Sequence, residues 1–210
     1  MSLALRLAEK GRGTTSPNPM AAAVVVRHAR IVGRGFHVRP VLPHAEILAL
    51  LEAGPLSEGA DLYITLEPCC HTKKRTPPCV PAVLESGLRR VIVAMTDPNP
   101  LVNGKGIAAL RRAGLPVTVG VREREAVALN RPYSHWVTMK RPYVILKAGM
   151  TLDGQIATVT GRSRWITGLP SRRDAHRLRG QVDAVLVGIG TVLKDDPSLI
   201  ARSGSRLSTM

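Results

Sequence analysis

Aromatic side chains are nearly missing from this chain, making up 3% of its 210 residues. The core must therefore be built from Val, Leu, Ile and Ala, and the rings that would stack unpaired bases on a nucleic-acid surface are nearly absent. Long apolar runs are missing too: the longest, Met20 to Val26, is far too short to span a bilayer. Arg6, Glu9 and Lys10 interrupt the first apolar residues, so the N-terminus is not patterned as a signal peptide. Cysteine is sparse, three residues in no plausible disulfide framework, which fits a reducing cytoplasm. Acidic residues are outnumbered 15 to 30, leaving a net charge of +15. That excess invites a nucleic-acid reading. The basic residues are spread along the whole chain instead of clustering, however, so a phosphorylated small substrate beneath a basic exterior is the better account.

What is present describes a globular protein of one large or two small domains, 44% hydrophobic with 16 prolines and 19 glycines. Helical spacing runs over Ser2–Lys10 and stops at Gly11 and Gly13, before a polar loop, Thr14–Pro19. Ala21–Val26 and Ile31–Gly35 pattern as a strand pair turning at Arg27–Arg30. A helix over His44–Ala53 closes at Gly54, and Leu62–Leu66 is a buried strand running into a cysteine loop. Helix Cys79–Ser86, strand Val91–Met95, helix Gly106–Ala113 and strand Val117–Val119 follow. This alternation predicts a mostly parallel sheet covered by helices on both faces, an α/β fold. A charged helical stretch, Glu123–Leu129, leads to a connector near Arg131–Pro142. The expected domains are thus 1–130, a linker over 131–142, and a unit over 143–210. The last carries a strand at Tyr143–Lys147, a helix at Ser171–Arg179, a strand at Ala184–Gly188 and a loop through Asp195-Asp196-Pro197, then an aperiodic tail from Ala201.

The chemistry is concentrated in His44-Ala45-Glu46, Pro68-Cys69 and Pro78-Cys79. One imidazole and two thiolates are a ligand set that suits catalytic zinc, which takes three protein ligands and keeps a fourth position for water. Glu46 then supplies the proton shuttle for attack on an amino-substituted ring carbon, the H-x-E and P-C combination of zinc deaminases. Here nine residues separate the cysteines instead of two, unlike the base and nucleoside deaminases. Glu46 lies about 200° around an ideal helix from His44. The pair can therefore converge only at the first turn, where His44 enters the helix. A non-catalytic zinc clip would use the same three residues. Cys70 could replace Cys69, although the thiol directly after Pro68 is preferred.

From Gly13 onward the chain resembles the bifunctional riboflavin-biosynthesis deaminase–reductase family. The resemblance rests on Gly13-Thr14-Thr15-Ser16-Pro17-Asn18-Pro19, Gly33-Arg34-Gly35-Phe36-His37 and Pro43-His44-Ala45-Glu46. It continues in Thr65-Leu66-Glu67-Pro68-Cys69-Cys70-His71, Arg75-Thr76-Pro77-Pro78-Cys79, Asp97-Pro98-Asn99-Pro100 and Gly104-Lys105-Gly106. It implies a three-layer, cytidine-deaminase-like first domain that removes the 2-amino group of a diamino-pyrimidinone carrying a ribosylamino 5′-phosphate. It further implies zinc on His44, Cys69 and Cys79, acid/base catalysis by Glu46, and a pocket lined by Asn18, His37 and His71. Two departures stand out. Ala21-Ala22-Ala23 replaces a Val-Gly-Ala pattern, so a methyl at Ala22 is expected to crowd the pocket floor. The loop Thr72-Lys73-Lys74 is one residue longer than the pattern and lacks its glycine.

The later unit resembles the family's dihydrofolate-reductase-like half through Leu146–Gly154, Ser163–Thr167 and Val187–Pro197. That likeness implies NADPH contacts from Gly149, Trp165, Thr191 and Asp195. It places Ser163, Arg179, Leu199 and Arg202 on the sugar phosphate, with Lys147 near the chemistry. The sequence stops at Met210, where the family pattern reaches its second strand. The expectation is an incomplete, inactive reductase segment with open sheet edges that favour a homo-oligomer. Two rivals remain: another nucleoside, base or tRNA deaminase, and a zinc-stabilised pseudoenzyme acting as a binding module.

Overall fold

The sheet begins with a tight hairpin. β1 (Ala22–Arg27) and β2 (Arg30–Phe36) are joined by His28 and Ala29, both at positive φ, 49° and 59°. Two such residues give the turn the same twist as the strands it joins. These elements belong to a computed structural model that describes residues 1–72 and 76–202. Lys73 and Lys74 of the long cysteine loop, and the tail from residue 203, lie outside the described residues.

The chain divides into two units, Met1–Tyr143 and Val144–Met210. In the first, β3 (Asp61–Ile64), β4 (Arg90–Val93) and β5 (Val117–Val119) complete a sheet of order β2-β1-β3-β4-β5. β1 runs antiparallel to both its neighbours, whereas β3, β4 and β5 are parallel. The sheet is therefore mixed: β1 alone runs against the other four strands, which share one direction. A two-residue turn can join only antiparallel strands, and the helical crossovers that allow parallel pairing between successive strands begin at β3.

β1 is buried on both faces, so its small apolar residues alternate between two layers. Ala23 and Val25 join Leu62, Ile64, Val91 and Val93 beneath α2 (Ala45–Ala53), α3 (Cys79–Glu85) and α4 (Lys105–Arg112). Ala22 and Val24 pack with Leu66 and Met95 against α1 (Ser2–Ala8) and α5 (Glu123–Leu129). Each fully buried Val or Leu contributes about 1.5–3 kcal/mol. The result is the expected α/β/α sandwich. The methyl of Ala22 belongs to the α1/α5 layer, and its N–H donates to Thr65 Oγ1 at 2.9 Å.

α2 lies directly on β2 because Gly33 and Gly35 present no side chain to it. A Cβ added at Gly33 would fall 2.1 Å from Ala49 O, and one at Gly35 would fall 2.4 Å from Ala45 O. Small residues on the facing side of α2 (Ala45, Ala49 and Ala53) complete this close approach. The start of α2, and with it His44 and Glu46, is thus fixed against the sheet.

Residues 131–142, expected as a connector, instead carry a helix, α6 (Arg131–Met139). Pro132 looks like a breaker but stands in the first turn, where its missing N–H costs nothing. Tyr133 reaches back to Asp97 at 2.9 Å and Val137 is buried, so α6 packs within the first unit. Asn130, at the α5–α6 junction, accepts from Met20 N–H at 2.8 Å and donates to Met20 O at 2.9 Å.

The second unit has α7 (Leu169–Arg179) and α8 (Ile189–Asp195), the latter unforeseen. The strands expected at Tyr143–Lys147 and Ala184–Gly188 are not formed. A strand needs a neighbour to take its N–H and C=O groups, and neither segment has one among the described residues. No described residue from Val144 to Arg202 is buried.

Candidate active site

His44 is the N-cap of α2, in extended conformation at φ −72° and ψ 162°, and Glu46 is the second residue of the helix. An extended cap turns the imidazole back over the helix start, which lets two residues so far apart around the axis face the same space. The two thiols arrive from the sheet's C-terminal side. Cys69 follows β3 through Thr65–Pro68, and Cys79 opens α3 behind Pro78. Backbone bonds link the two segments: Cys79 N–H donates to Cys69 O at 3.0 Å and to Cys69 Sγ at 3.3 Å, and Val80 N–H donates to Cys69 O at 3.3 Å.

The donor atoms converge. His44 Nδ1 lies 3.5 Å from Cys69 Sγ and 3.3 Å from Cys79 Sγ, and the three ligand atoms are all within 4.8 Å of one another. Tetrahedral zinc with its usual N and S bond lengths sets neighbouring N and S donors about 3.6 Å apart. The residues present fit that ion. On the far side of the ring, Thr76 Oγ1 lies 3.1 Å from His44 Nε2.

Glu46 is only 6% exposed. Burial, then the neighbouring charge of Cys69, pushes its carboxyl above the ordinary range, while His44 and a hydrogen bond with Cys79 act in the opposite direction. His37, also buried, sets its ring edge-on to that of His44 with centroids 5.3 Å apart, and Asn18 Nδ2 donates to His37 Nε2 at 3.0 Å. His71 is half-buried two residues beyond Cys69. Cys70 is turned against the core beneath α2. Burial, Glu67 and Cys69 raise its thiol pKa, so it is the poorer thiolate of the pair.

Two carboxylates behind the site escaped sequence reasoning. Glu67 is buried and accepts from the N–H groups of Asp97 at 3.1 Å, Gly104 at 2.8 Å and Ile107 at 3.1 Å. It thus ties the start of α4 to the Pro68-Cys69 segment. Gly106 permits that approach, since a Cβ there would meet Pro68 O at 2.0 Å. Asp97 accepts from Asn99 N–H and Tyr133 Oη, each at 2.9 Å. Burial raises its pKa to about 6 despite those two bonds. The only sequence signal for either was its place in a long motif.

The candidates of the second unit are more scattered. Arg179 Nη1 donates to Ser198 O at 3.4 Å, and Arg202 N–H donates to His176 Nδ1 at 3.3 Å. The end of α7 therefore meets the segment holding Leu199 and Arg202. Trp165 is exposed, with the Arg172 guanidinium 3.9 Å above its ring. Lys147, Ser163, Thr191 and Asp195 are exposed, and Gly149 is half-buried near Thr167.

Comparison with known proteins adds a lineage to this geometry. A family model described as the cytidine and deoxycytidylate deaminase zinc-binding region matches residues 1–95. Another, the RibD C-terminal domain, matches residues 142–208. The riboflavin biosynthesis protein RibD of Aquifex aeolicus is 54% identical over 202 residues, covering 96% of this chain and 56% of the relative. RibD of Escherichia coli is 46% identical over 202 residues, again 96% of this chain and 55% of the relative. A solved diaminohydroxyphosphoribosylaminopyrimidine deaminase/5-amino-6-(5-phosphoribosylamino)uracil reductase from Thermotoga maritima superposes with a TM-score of 0.91 at 45% identity, over 97% of this chain and 58% of that one. The chain spans about half the length of the curated relatives it matches. With both family models met in order and close to half of all aligned residues shared, the chain is similar over 96% of its length to RibD riboflavin biosynthesis proteins.

Proposed function

We propose that the first unit is a zinc-dependent deaminase. Its substrate is 2,5-diamino-6-ribosylamino-4(3H)-pyrimidinone 5′-phosphate, converted by water to the 5-amino-6-ribosylaminouracil phosphate and ammonia. One observation carries the reading: a buried carboxylate, Glu46, shares the start of α2 with His44, whose Nδ1 lies within 3.5 Å of two cysteine sulfurs. His44, Cys69 and Cys79 would hold the zinc, which supplies Lewis acidity toward water when bound.

The chain's own groups do the rest. Glu46 takes one proton of the attacking water and passes it to the ring nitrogen, then carries the remaining hydroxyl proton to the amino group, so that the C–N bond breaks as neutral ammonia leaves and a ring carbonyl beside an N–H remains. Its burial keeps bulk water from competing for that proton. Asn18 and His37, whose ring stands edge-on to that of His44, orient the pyrimidinone edge, with their own hydrogen bond holding both in place. His71 and the basic exterior meet the phosphate, which gives the net charge of +15 a role without nucleic acid.

The NADPH and sugar-phosphate assignments in residues 144–202 rest on the family resemblance. With no strand and no buried side chain among its described residues, that stretch as it folds here supports no reductase reading of its own. Ammonia release should be compared across the diamino-pyrimidinone phosphate, cytidine and guanine. The expected result is turnover of the first alone; equal turnover of cytidine or guanine would make the chain another kind of deaminase, and zinc binding with no turnover would make it a binding module. NADPH oxidation with the deaminated product would revive the reductase.

A further inference from the structure

One polar side chain at the site has no place in that mechanism. Thr76 stands three residues before Cys79 and puts its hydroxyl 3.1 Å from His44 Nε2, the ring nitrogen facing away from the sulfurs. We infer that Thr76 is a positioning residue for His44: its hydroxyl accepts the Nε2–H and commits the ring to the tautomer whose Nδ1 lone pair faces Cys69 and Cys79. The inference rests on reading those three residues as a zinc site.

The local sequence is built for this. A neutral imidazole carries one N–H, and the partner of that N–H decides which nitrogen is left to bind a metal. Pro77 and Pro78 follow Thr76 directly, and proline restricts both its own φ and the backbone of the residue before it. Pro78, at φ −65° and ψ 147°, leads into Cys79 as the N-cap of α3. The distance from the hydroxyl to the thiol is therefore set by stiff backbone, and the β-branch of threonine limits the hydroxyl to few rotamers. A single short segment thus addresses both ring nitrogens, one with Thr76 Oγ1 and the other with Cys79 Sγ.

The test compares Thr76→Val, which keeps the shape and removes the hydroxyl, with Thr76→Ser, which keeps the hydroxyl. Zinc affinity is read by competition with a chromophoric chelator, and the His44 tautomer by ring ¹⁵N shifts of the zinc-free protein. Thr76→Val should weaken zinc binding about 10- to 100-fold, the range seen when partners of ligand histidines are removed. It should also convert the single Nε2–H tautomer into a mixture, while Thr76→Ser stays close to wild type in both readouts. An unchanged affinity or tautomer in Thr76→Val would overturn the inference. So would equal zinc loss in both variants, or zinc-free Thr76→Val melting well below wild type, since either outcome makes the residue a packing element. A wild type that binds no zinc would sink the zinc reading instead, and the tautomer measurement would still decide the role of Thr76.

Discussion

Glu46 and Asp97 are both buried carboxyls with raised pKa values, yet only Glu46 shares a helix start with the converging donor atoms. Glu46→Gln keeps size and outline and removes the proton shuttle. Turnover should fall at least about 100-fold, in line with general acid–base catalysis, with zinc content unchanged by elemental analysis. Loss of zinc in this variant would instead make Glu46 part of the metal's support. Asp97 has a folded pKa of about 6, above its ordinary 3.8. The folded state therefore holds a proton that the unfolded state releases between those values, and stability from this group is present at low pH and lost as pH rises through 6. Asp97→Asn keeps an Oδ1 for Asn99 N–H and Tyr133 Oη and removes the titration. Urea unfolding should show it gaining up to about 3 kcal/mol on wild type between pH 4 and pH 7; parallel pH profiles would contradict this. Residues such as His44 and Glu46 were legible in the sequence because two positions at a helix start decide their convergence. Glu67 and Asn130 were not, because their partners lie 30 to 110 residues away and no local pattern marks a buried acceptor.

Elements carry the site through two close approaches. Gly35→Ala would drive a methyl into Ala45 O, lifting the first turn of α2 off β2. Overpacking of this kind costs about 1–3 kcal/mol, and it should also lower zinc affinity, because His44 moves with α2. A variant with normal stability and zinc binding would show that α2 is not fixed in this way. Glu67→Gln sets an amide N–H₂ against backbone N–H groups and leaves at least one of them unpaired, costing about 1–3 kcal/mol. Chemical denaturation and zinc titration of this variant should both show losses, since Glu67 holds the segment that carries Cys69. Most boundaries in the first unit could be read from the sequence, because glycines at positive φ follow α2, α3 and α4, at Gly54, Gly87 and Gly114. The mostly parallel sense of the sheet could be read from the alternation of strand and helix, which does not reveal that β1 pairs antiparallel on both sides. α6 was hidden behind Arg131-Pro132, where a proline permitted at a helix start passes for a stop.

At the scale of the whole molecule the two units differ in kind. The first has apolar layers on both faces of its sheet; the second has no buried residue among those described. Large apolar side chains there stand in solvent, Leu146 at 94% and Leu186 at 97% exposed. Backbone amides from 144 to 202 should therefore exchange with deuterium far sooner than those of β1, β3 and β4, as expected where few apolar contacts oppose local opening. Slow exchange across both regions would mean that the second unit is held by contacts not seen here. Among the described residues no helix is long and apolar enough to cross a membrane. Composition foretold the aliphatic core, but not which unit would hold it. The most direct test of the account follows ammonia release from the diamino-pyrimidinone phosphate before and after chelation. The account predicts that release stops when the metal is stripped and returns with one equivalent of zinc. Release that survives chelation, or its absence from a chain carrying one zinc, would contradict it.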